Sequence, residues 1–260
     1  YKQKRNFTST PEPAGDVKLA AERAKKGQPG KGLFFCVQKH LASHLHYDFR
    51  LEHNGVLLSW AVPKGPSYDP GTKRLAMMTE DHPYDYADFE GVIPAGNYGA
   101  GNVIIWDNGT WEFIEPGDDP VKALKSGKLT FRMFGKKMFG EWALVKIGGR
   151  SKSDKGNEWL LLKHRDQFAN EKVDVTEVAP QSVVSGRTVE EVRRQGELGQ
   201  IPAGQPLAEA VGVAGQDVVA RPAVERVVAG PAAQHVVAVR RGRENFVVAG
   251  EPIIAGPAAE

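Results

Sequence analysis

Hydrophobic and polar residues alternate along 45–52, so that every second side chain is apolar. This period of two is typical of a β-strand that buries one face. The Asn54-Gly55 pair follows directly, and it is the strongest two-residue signal for a hairpin turn. Folding about this turn places Arg50 opposite Ser59 and matches apolar with apolar positions on the other face. The register of the predicted hairpin is therefore self-consistent.

Shorter apolar runs separated by turn residues predict further strands. A second pair, Asn108-Gly109, predicts another hairpin, which would bring Trp106 opposite Trp111. Helical periodicity is absent from 30–165, which argues against a parallel βαβ fold. Many short strands with turns between them instead predict an all-β domain, an antiparallel barrel or sandwich. The other strands are expected at 33–38, 75–79, 89–93, 128–134, 138–147 and 157–164.

Two short helices are indicated outside this β-rich part. A helix over 16–27 has Asp16 as a favourable N-cap and Gly27 as a favourable stop. A second helix over 188–195 begins at Thr188 with the Thr-x-x-Glu spacing of a capping box.

The composition changes sharply near residue 174. All five Trp and all six Tyr lie at or before Trp159, whereas residues 175–260 contain 18 Val and no Lys. A segment so poor in large side chains buries too little apolar area to offset its chain entropy. We therefore predict an N-terminal arm over 1–32, a β domain over 33–174 and a mostly disordered low-complexity tail over 175–260.

The tail also repeats a Val-Val-Ala unit, which begins at positions 218, 227, 236 and 247. A small β-repeat solenoid is the competing interpretation, although the spacing slips from nine to eleven residues and the glycines are irregular. A third interpretation is that the tail results from a frameshift, because its composition differs so much from that of the preceding residues.

The net charge of +2 is unevenly distributed along the chain. Residues 1–60 carry 10 basic and 5 acidic side chains, a net of +5, which favours an anionic partner.

Cys36 is the single cysteine, so an internal disulfide and a Cys-based zinc site are excluded and a reducing cytosol is indicated. No apolar run is long enough to span a membrane and no signal peptide is visible, so we expect no membrane association.

Candidate chemistry is concentrated in residues 38–53, which contain four of the seven histidines. His46, Asp48 and Arg50 share the polar face of the predicted strand, and His40 precedes it. Two imidazoles and one carboxylate are a suitable ligand set for a divalent metal. Arg50 supplies a planar fork that suits phosphate, so a phosphate ester is the favoured substrate class. The alternative is a solvated strand face with clustered surface histidines.

A second polar cluster lies in the turn-like segment 79–86. His82 is a candidate general acid or phosphate ligand, and Tyr86 is a candidate hydrogen-bond donor to the same anion. The alternative is a polar loop whose aromatic residues cap the domain. Lys64 and Arg74 are candidate phosphate contacts, with solvated surface positions as the alternative.

Several short motifs occur in a characteristic order. They are Gln38-Lys39-His40, His46-Tyr47-Asp48-Phe49-Arg50-Leu51-Glu52, Trp60-Ala61-Val62-Pro63-Lys64-Gly65, Glu80-Asp81-His82-Pro83 and Phe89-Glu90-Gly91. From about residue 4 to 169 the chain resembles the 3′-phosphoesterase domain of bacterial LigD-type DNA repair proteins. The resemblance implies an antiparallel β-barrel with a hydrophobic interior and an active-site groove on its outer surface.

The resemblance also implies an activity. Enzymes of this family depend on manganese (Mn²⁺) and heal DNA 3′ ends at double-strand breaks. They remove a 3′-terminal ribonucleoside and then the remaining 3′-phosphate, which leaves a 3′-hydroxyl. Zn²⁺ and Co²⁺ are alternative ions for the same ligands. The family context implies Ku and a DNA ligase as partners and a cytoplasmic, nucleoid-associated location, and we expect a stand-alone enzyme or an excised piece.

Carried over motif by motif, the family's functional residues fall into four groups. The implied metal ligands are His40, His46 and Asp48. The implied ligands of the scissile phosphate are Arg50, His82 and Tyr86. The implied supporting residues are Gln38, Lys64, Arg74 and Glu80. The N-terminal arm contributes Arg5 and Glu12, which the resemblance associates with ribonucleoside removal.

One position departs from the family pattern. Family members usually carry Arg-Asp-Phe where this chain has Arg5-Asn6-Phe7, so we expect phosphomonoesterase activity to survive and the diesterase step to be weakened. Two other function classes remain open from the sequence. One is a metal-free DNA-end-binding module, and the other is an unrelated cupin-like metalloenzyme.

Overall fold

The computed structural model describes residues 1–26, 32–114, 120–147, 156–200, 237–241 and 244–248. The chain divides into two compact units, Tyr1–Ala214 and Gly215–Glu260, and each is described by itself. The strands of the first unit are β1 (Leu33–Leu41), β2 (Leu45–His53), β3 (Val56–Val62), β4 (Arg74–Met78), β5 (His82–Pro83), β6 (Gly91–Ile93), β7 (Gly101–Phe113), β8 (Lys128–Gly135), β9 (Phe139–Lys146) and β10 (Glu158–Lys163).

Eight of these strands form a closed antiparallel barrel. Their order is β1-β2-β3-β4-β10-β9-β8-β7, and β7 pairs back with β1. The short strands β5 and β6 pair with β3 and β7 and lie off this closed path. The predicted antiparallel β-barrel is therefore confirmed, and the sandwich is not the observed arrangement.

The first predicted hairpin has the expected register. Arg50 lies opposite Ser59 between β2 and β3. Asn54 and Gly55 form the turn with φ angles of 49° and 79°, which is the left-handed backbone that an Asn-Gly turn requires.

The second predicted hairpin is wrong. Strand β7 runs through Asn108 and Gly109 without a break, so Trp106 and Trp111 lie on the same strand. A Cβ atom at position 109 would collide with the carbonyl oxygen of Phe134. Glycine is needed here because two backbones approach closely, and not because the chain turns.

The barrel interior holds the main hydrophobic core, which contains all five buried tryptophans. Phe49 lies within it, and its ring centroid is 5.8 Å from that of Phe131. A second apolar cluster includes Cys36, Tyr86 and Phe89. Because side chains alternate along β1, Cys36 points to the opposite side from its core neighbours, which places this second cluster on the outer surface of the barrel.

The described residues of the first unit contain four α-helices and two 3₁₀-helices. The α-helices are α1 (Val17–Lys26), α2 (Pro120–Ser126), α3 (Val175–Val178) and α4 (Val189–Glu197), and the 3₁₀-helices are Lys2–Lys4 and Tyr84–Asp88. Asp16 accepts hydrogen bonds from the backbone N–H groups of Lys18 and Leu19, which confirms it as the cap of α1. The expected stop at Gly27 lies outside the described residues. No helix in the described ranges is long and apolar enough to cross a bilayer.

Residues 175–200 contain two helices, α3 and α4, within the segment predicted to be a mostly disordered tail with one short helix over 188–195. The predicted capping box is present at Thr188, and Val189 and Val192 of α4 are buried beside Ile104 of β7. A short amphipathic helix needs no core of its own when the barrel already presents an apolar surface. Composition averaged over the whole tail could not show this.

The second unit contains a two-stranded antiparallel sheet of β11 (Val237–Arg241) and β12 (Glu244–Val248). Val237 pairs with Val248, so the sheet joins parts of the third and fourth Val-Val-Ala units. The rest of the predicted low-complexity tail, 201–236 and 249–260, lies outside the described residues, as do residues 242–243. The predicted domain boundaries remain a prediction.

Candidate active site

The outward-facing side chains of β1 and β2 form a polar ladder. The register pairs His40 with His46, Gln38 with Asp48, and Cys36 with Arg50. Since alternate residues of a strand share one face, the members of these pairs stand side by side on the outer surface. The strand register thus brings together five of the residues that the sequence singled out, Gln38, His40, His46, Asp48 and Arg50.

His40, His46 and Asp48 form a group that fits a metal ion. One ligand atom from each residue lies within 4.8 Å of the other two. The Nδ1 of His46 lies 3.0 Å from the carbonyl oxygen of His44 and donates to it, which leaves Nε2 with a free lone pair. The Nε2 of His40 is buried without a hydrogen-bond partner. Its other ring nitrogen, Nδ1, lies 3.5 Å from Asp48 Oδ2. A ring that meets a carboxylate and keeps one buried nitrogen without a partner fits a divalent metal better than a solvated surface.

The Asp48 carboxylate is held in its ionised form. Burial alone would raise its pKa, but the Arg50 guanidinium and the His40 ring outweigh burial and hold the pKa well below its usual range. The contacting atoms are Arg50 Nη2 at 3.2 Å and His40 Nδ1 at 3.5 Å from Asp48 Oδ2. A charged carboxylate is the form that binds a cation.

Arg50 is only 2% exposed and is fixed by three neighbours. Its Nε donates to Gln38 Oε1 at 2.7 Å, and its Nη1 donates to Ser59 Oγ at 2.9 Å. Gln38 is oriented in turn, because its amide donates to the carbonyl oxygens of Tyr86 and Phe89. The outer face of β2 is therefore a buried, connected network and not a solvated strand face.

His82 is a neutral imidazole in this arrangement. Its Nδ1 lies 2.8 Å from the carbonyl oxygen of Glu80, which can only accept, so the proton is on Nδ1. Its Nε2 lies 3.4 Å from Arg5 Nη2. Burial, and then the positive charge of Arg50, lower the pKa of His82 to about 2.

Tyr86 lies against both the ladder and the N-terminal arm. Its ring is 4.9 Å from the Cζ of Arg50, and its hydroxyl donates to Glu12 Oε1 at 3.0 Å. Burial raises the pKa of the phenol well above its usual value, so the group remains a donor. A phosphate oxygen that took the place of the Glu12 carboxylate could therefore accept this hydrogen bond.

The N-terminal arm closes one side of the site through ion pairs. Arg5 Nε lies 2.9 Å from Glu12 Oε1, and Arg5 Nη1 lies 3.1 Å from Glu80 Oε1. Lys4 also pairs with Glu80, at 2.9 Å. Burial would raise the pKa of Glu80, but hydrogen bonds from Lys4 and Arg5 lower it to about 2. These contacts bring together the predicted residues Arg5, Glu12 and Glu80.

Two predicted residues are not joined to this network by any described contact. Lys64 is exposed on the surface. Arg74 Nη2 lies 3.9 Å from Asp174, on the segment that leads into α3. Conversely, Ser59 accepts a hydrogen bond from Arg50 but is not among the predicted site residues. The predicted hairpin register, which places Ser59 opposite Arg50, is the sequence signal for this role.

The family comparison can now be set beside this geometry. Residues 38–146 match the model of the DNA Ligase D 3′-phosphoesterase domain. These residues form a LigD-type 3′-phosphoesterase domain. The matched range includes the ladder of β1 and β2 as well as His82 and Tyr86, whereas Arg5 and Glu12 precede it.

The chain that carries this LigD-type domain is similar to multifunctional non-homologous end joining proteins named LigD. It is 49% identical over 208 residues to the protein of Pseudomonas aeruginosa, and the aligned segment covers 79% of this chain and 23% of that protein. It is 38% identical over 186 residues to the protein of Mycobacterium bovis, and here the aligned segment covers 72% of this chain and 22% of that protein. The chain thus spans less than a quarter of the length of these relatives.

Proposed function

We propose that this chain is a metal-dependent 3′-phosphoesterase that heals DNA 3′ ends. One observation supports the proposal: three side chains that could hold a metal ion and a buried arginine share the outer face of β1 and β2 in a LigD-type domain. The names of the relatives place them in non-homologous end joining. We therefore propose a DNA 3′ end at a break as the substrate, from which a terminal ribonucleoside and then the 3′-phosphate are removed to leave a 3′-hydroxyl.

His40, His46 and Asp48 would hold the metal, for which we propose Mn²⁺, with Zn²⁺ or Co²⁺ as alternatives. A divalent ion at this place supplies Lewis-acid polarisation of a phosphate oxygen. Asp48 is already ionised, because the charge of Arg50 lowers its pKa.

Arg50 is placed to bind the scissile phosphate. A guanidinium has five N–H donors, and the three contacts to Gln38, Ser59 and Asp48 each use one. Two donors remain for phosphate oxygens, in an orientation that the three contacts fix. Preorganised donors of this kind stabilise the charge that develops on the equatorial oxygens.

His82 and Tyr86 complete the proposed phosphate site. Tyr86 is a neutral donor, whereas Nε2 of His82 is an acceptor that faces Arg5 Nη2 at 3.4 Å. A bound phosphate places negative charge beside His82 and favours its protonated form. The imidazolium can then deliver this proton to the leaving oxygen, which is general acid catalysis.

The N-terminal arm would act in ribonucleoside removal. Arg5 and Glu12 contact His82 and Tyr86 directly, so the arm reaches the phosphate site from one side. Asn6 is exposed, and its Oδ1 accepts from the backbone N–H and the hydroxyl of Thr8. Asn6 therefore forms the hydrogen bonds to Thr8 without a carboxylate, and only the negative charge of the aspartate that is usual in the family is missing.

The test is an assay on two primer–templates, one ending in a 3′-phosphate and one in a 3′-ribonucleotide, with and without Mn²⁺. We expect phosphate release only with metal. His46→Ala should abolish it, while His164→Ala, a histidine paired with Glu141 at the end of β10, should not. Phosphate release without metal, or full activity of His46→Ala, would refute the site. DNA binding without turnover would favour the metal-free end-binding module.

We also propose a setting for this activity. Ku and a DNA ligase are the proposed partners, since end healing is useful only when a joining step follows. The proposed location is the cytoplasm, at the nucleoid. Co-purification of the chain with Ku on DNA that carries blocked 3′ ends, and its absence on DNA with hydroxyl ends, would support this setting.

A further inference from the structure

Tyr98 is the most exposed aromatic side chain among the described residues, at 52%. It lies in the loop between β6 and β7, which the predicted function does not use. Tyrosine rings carry a large apolar surface and are normally buried at least in part. The exposed part of this ring is accessible to a ligand beside the proposed site.

The loop that carries Tyr98 runs beside both halves of the proposed active site. A Cβ atom built on the adjacent Gly99 would lie 3.8 Å from Cε1 of His40. On the other side, the ring centroid of Tyr98 is 5.2 Å from Cζ of Arg5, whose guanidinium reaches His82. The loop backbone beside Tyr98 therefore approaches a proposed metal ligand, and its ring contacts the arm.

The position of the loop is set by the backbone and by the arm. Gly96 and Gly99 have positive φ angles of 86° and 76°, which fix the tight course of the loop. Asn97 Nδ2 donates to the carbonyl oxygens of Ser9 and Pro94, both at 3.2 Å. The ring is thus presented from a pinned loop and does not need to be ordered when substrate arrives.

We propose that Tyr98 stacks on the nucleoside that carries the scissile 3′-phosphate. Nucleobases stack on exposed aromatic rings, and this contact tolerates any base because every base has a π-face. The cations Lys4 and Arg5 lie over this ring, 5.0 and 5.2 Å from its centroid, so a base that stacks on the exposed part of the ring would bring its phosphate backbone close to positive charge. This inference rests on the proposed function and adds a determinant of substrate class, a terminal nucleoside with its base present.

The experiment compares two 3′-phosphate primer–templates, one with a normal terminal nucleotide and one whose terminal sugar lacks its base. Tyr98→Ala should raise KM about tenfold on the normal substrate with little change in kcat. On the baseless substrate, Tyr98→Ala and wild type should have equal KM. Tyr98→Phe keeps the ring and should behave as wild type on both.

Several results would overturn the inference. They are an equal effect of Tyr98→Ala on both substrates, no effect on either, or a failure of Tyr98→Phe to restore KM. A wild-type chain without turnover would refute the proposed function instead. Fluorescence anisotropy with the same two DNAs would then decide on Tyr98: weaker binding of only the base-bearing end by Tyr98→Ala supports stacking, and equal binding contradicts it.

Discussion

The two faces of β2 are both buried, but different forces hold them. On the inner face, Phe49 packs among aromatic rings of the barrel core. On the outer face, Arg50 donates to three acceptors at defined distances. Apolar packing tolerates volume-conserving changes, whereas each polar contact requires a particular partner. The inner face should therefore govern stability alone, whereas the outer face should govern both stability and catalysis.

The largest expected effect comes from breaking the outer network at its centre. Arg50→Ala removes the guanidinium that neutralises Asp48 and the donors proposed for phosphate. We expect 3′-phosphate release to fall at least about 100-fold. The free energy of unfolding should fall by about 3–5 kcal/mol, because a buried carboxylate loses its partner. Product assays and urea unfolding measure the two effects.

The matched control for this change is Arg132→Ala. Arg132 is a surface arginine on β8 that pairs with Glu141 at 2.6 Å. Exposed pairs contribute little to stability, so both turnover and stability should stay near wild type. Wild-type turnover by a folded Arg50→Ala variant would contradict the role assigned to the outer face.

The next change breaks the inner face. Phe49→Ala leaves a cavity in the barrel core and should lower the free energy of unfolding by about 3–5 kcal/mol. Turnover per folded molecule should remain within a few-fold of wild type, since no proposed ligand is lost. Urea unfolding and activity at low temperature are the measurements. If turnover fell as far as in Arg50→Ala, separate roles in stability and catalysis could not be assigned to the two faces of β2.

A smaller effect is expected from pH, through His82 at the edge of the outer network. Its pKa is lowered from 6.5 to about 2 in the folded chain, so below pH 6.5 the unfolded chain binds a proton that the folded chain excludes. Stability contributed by the neutral ring is complete above pH 6.5 and is lost as pH falls. Each pH unit should cost about 1.4 kcal/mol, or about 2 kcal/mol at pH 5.

Urea unfolding in chelator at pH 7 and pH 5 measures this dependence. In His82→Gln the dependence between these two values should be largely removed, whereas His164→Gln should keep it. An unchanged slope in His82→Gln would show that His82 is not the buried neutral ring described above.

The smallest expected effect concerns Asn6. An aspartate accepts the same hydrogen bonds from Thr8, so Asn6→Asp should leave stability and 3′-phosphate release unchanged. The added charge should raise ribonucleoside removal a few-fold. Equal rates of wild type on both substrates, unchanged by Asn6→Asp, would contradict the weakened diesterase step.

Local sequence predicted the part of the site that local geometry controls. The alternation in β2 and the Asn54-Gly55 turn fix a register, and the register fixes which side chains share a face. The ladder of His46, Asp48 and Arg50 follows from these facts alone. His40 joins it through the pairing of β1 with β2.

Features that depend on distant parts of the chain were missed. The pair at 108–109 has the residues of a turn, but its glycine serves a close approach to β8 that no local pattern reveals. The capping box predicted helix α4 but not its packing, in which Val189 and Val192 lie against Ile104, far away in sequence. The contact of Arg5 with Glu80 spans 75 residues, so only the motif resemblance, and not spacing, grouped these two residues.

The central claim is that the register of β1 and β2 builds a metal site on the outer face of the barrel. The most direct measurement is Mn²⁺ binding, by electron paramagnetic resonance or calorimetry, to wild type, His46→Ala and His164→Ala. We predict a saturable site in wild type and in His164→Ala that is lost in His46→Ala. Equal binding by all three proteins, or no specific binding by wild type, would contradict the account.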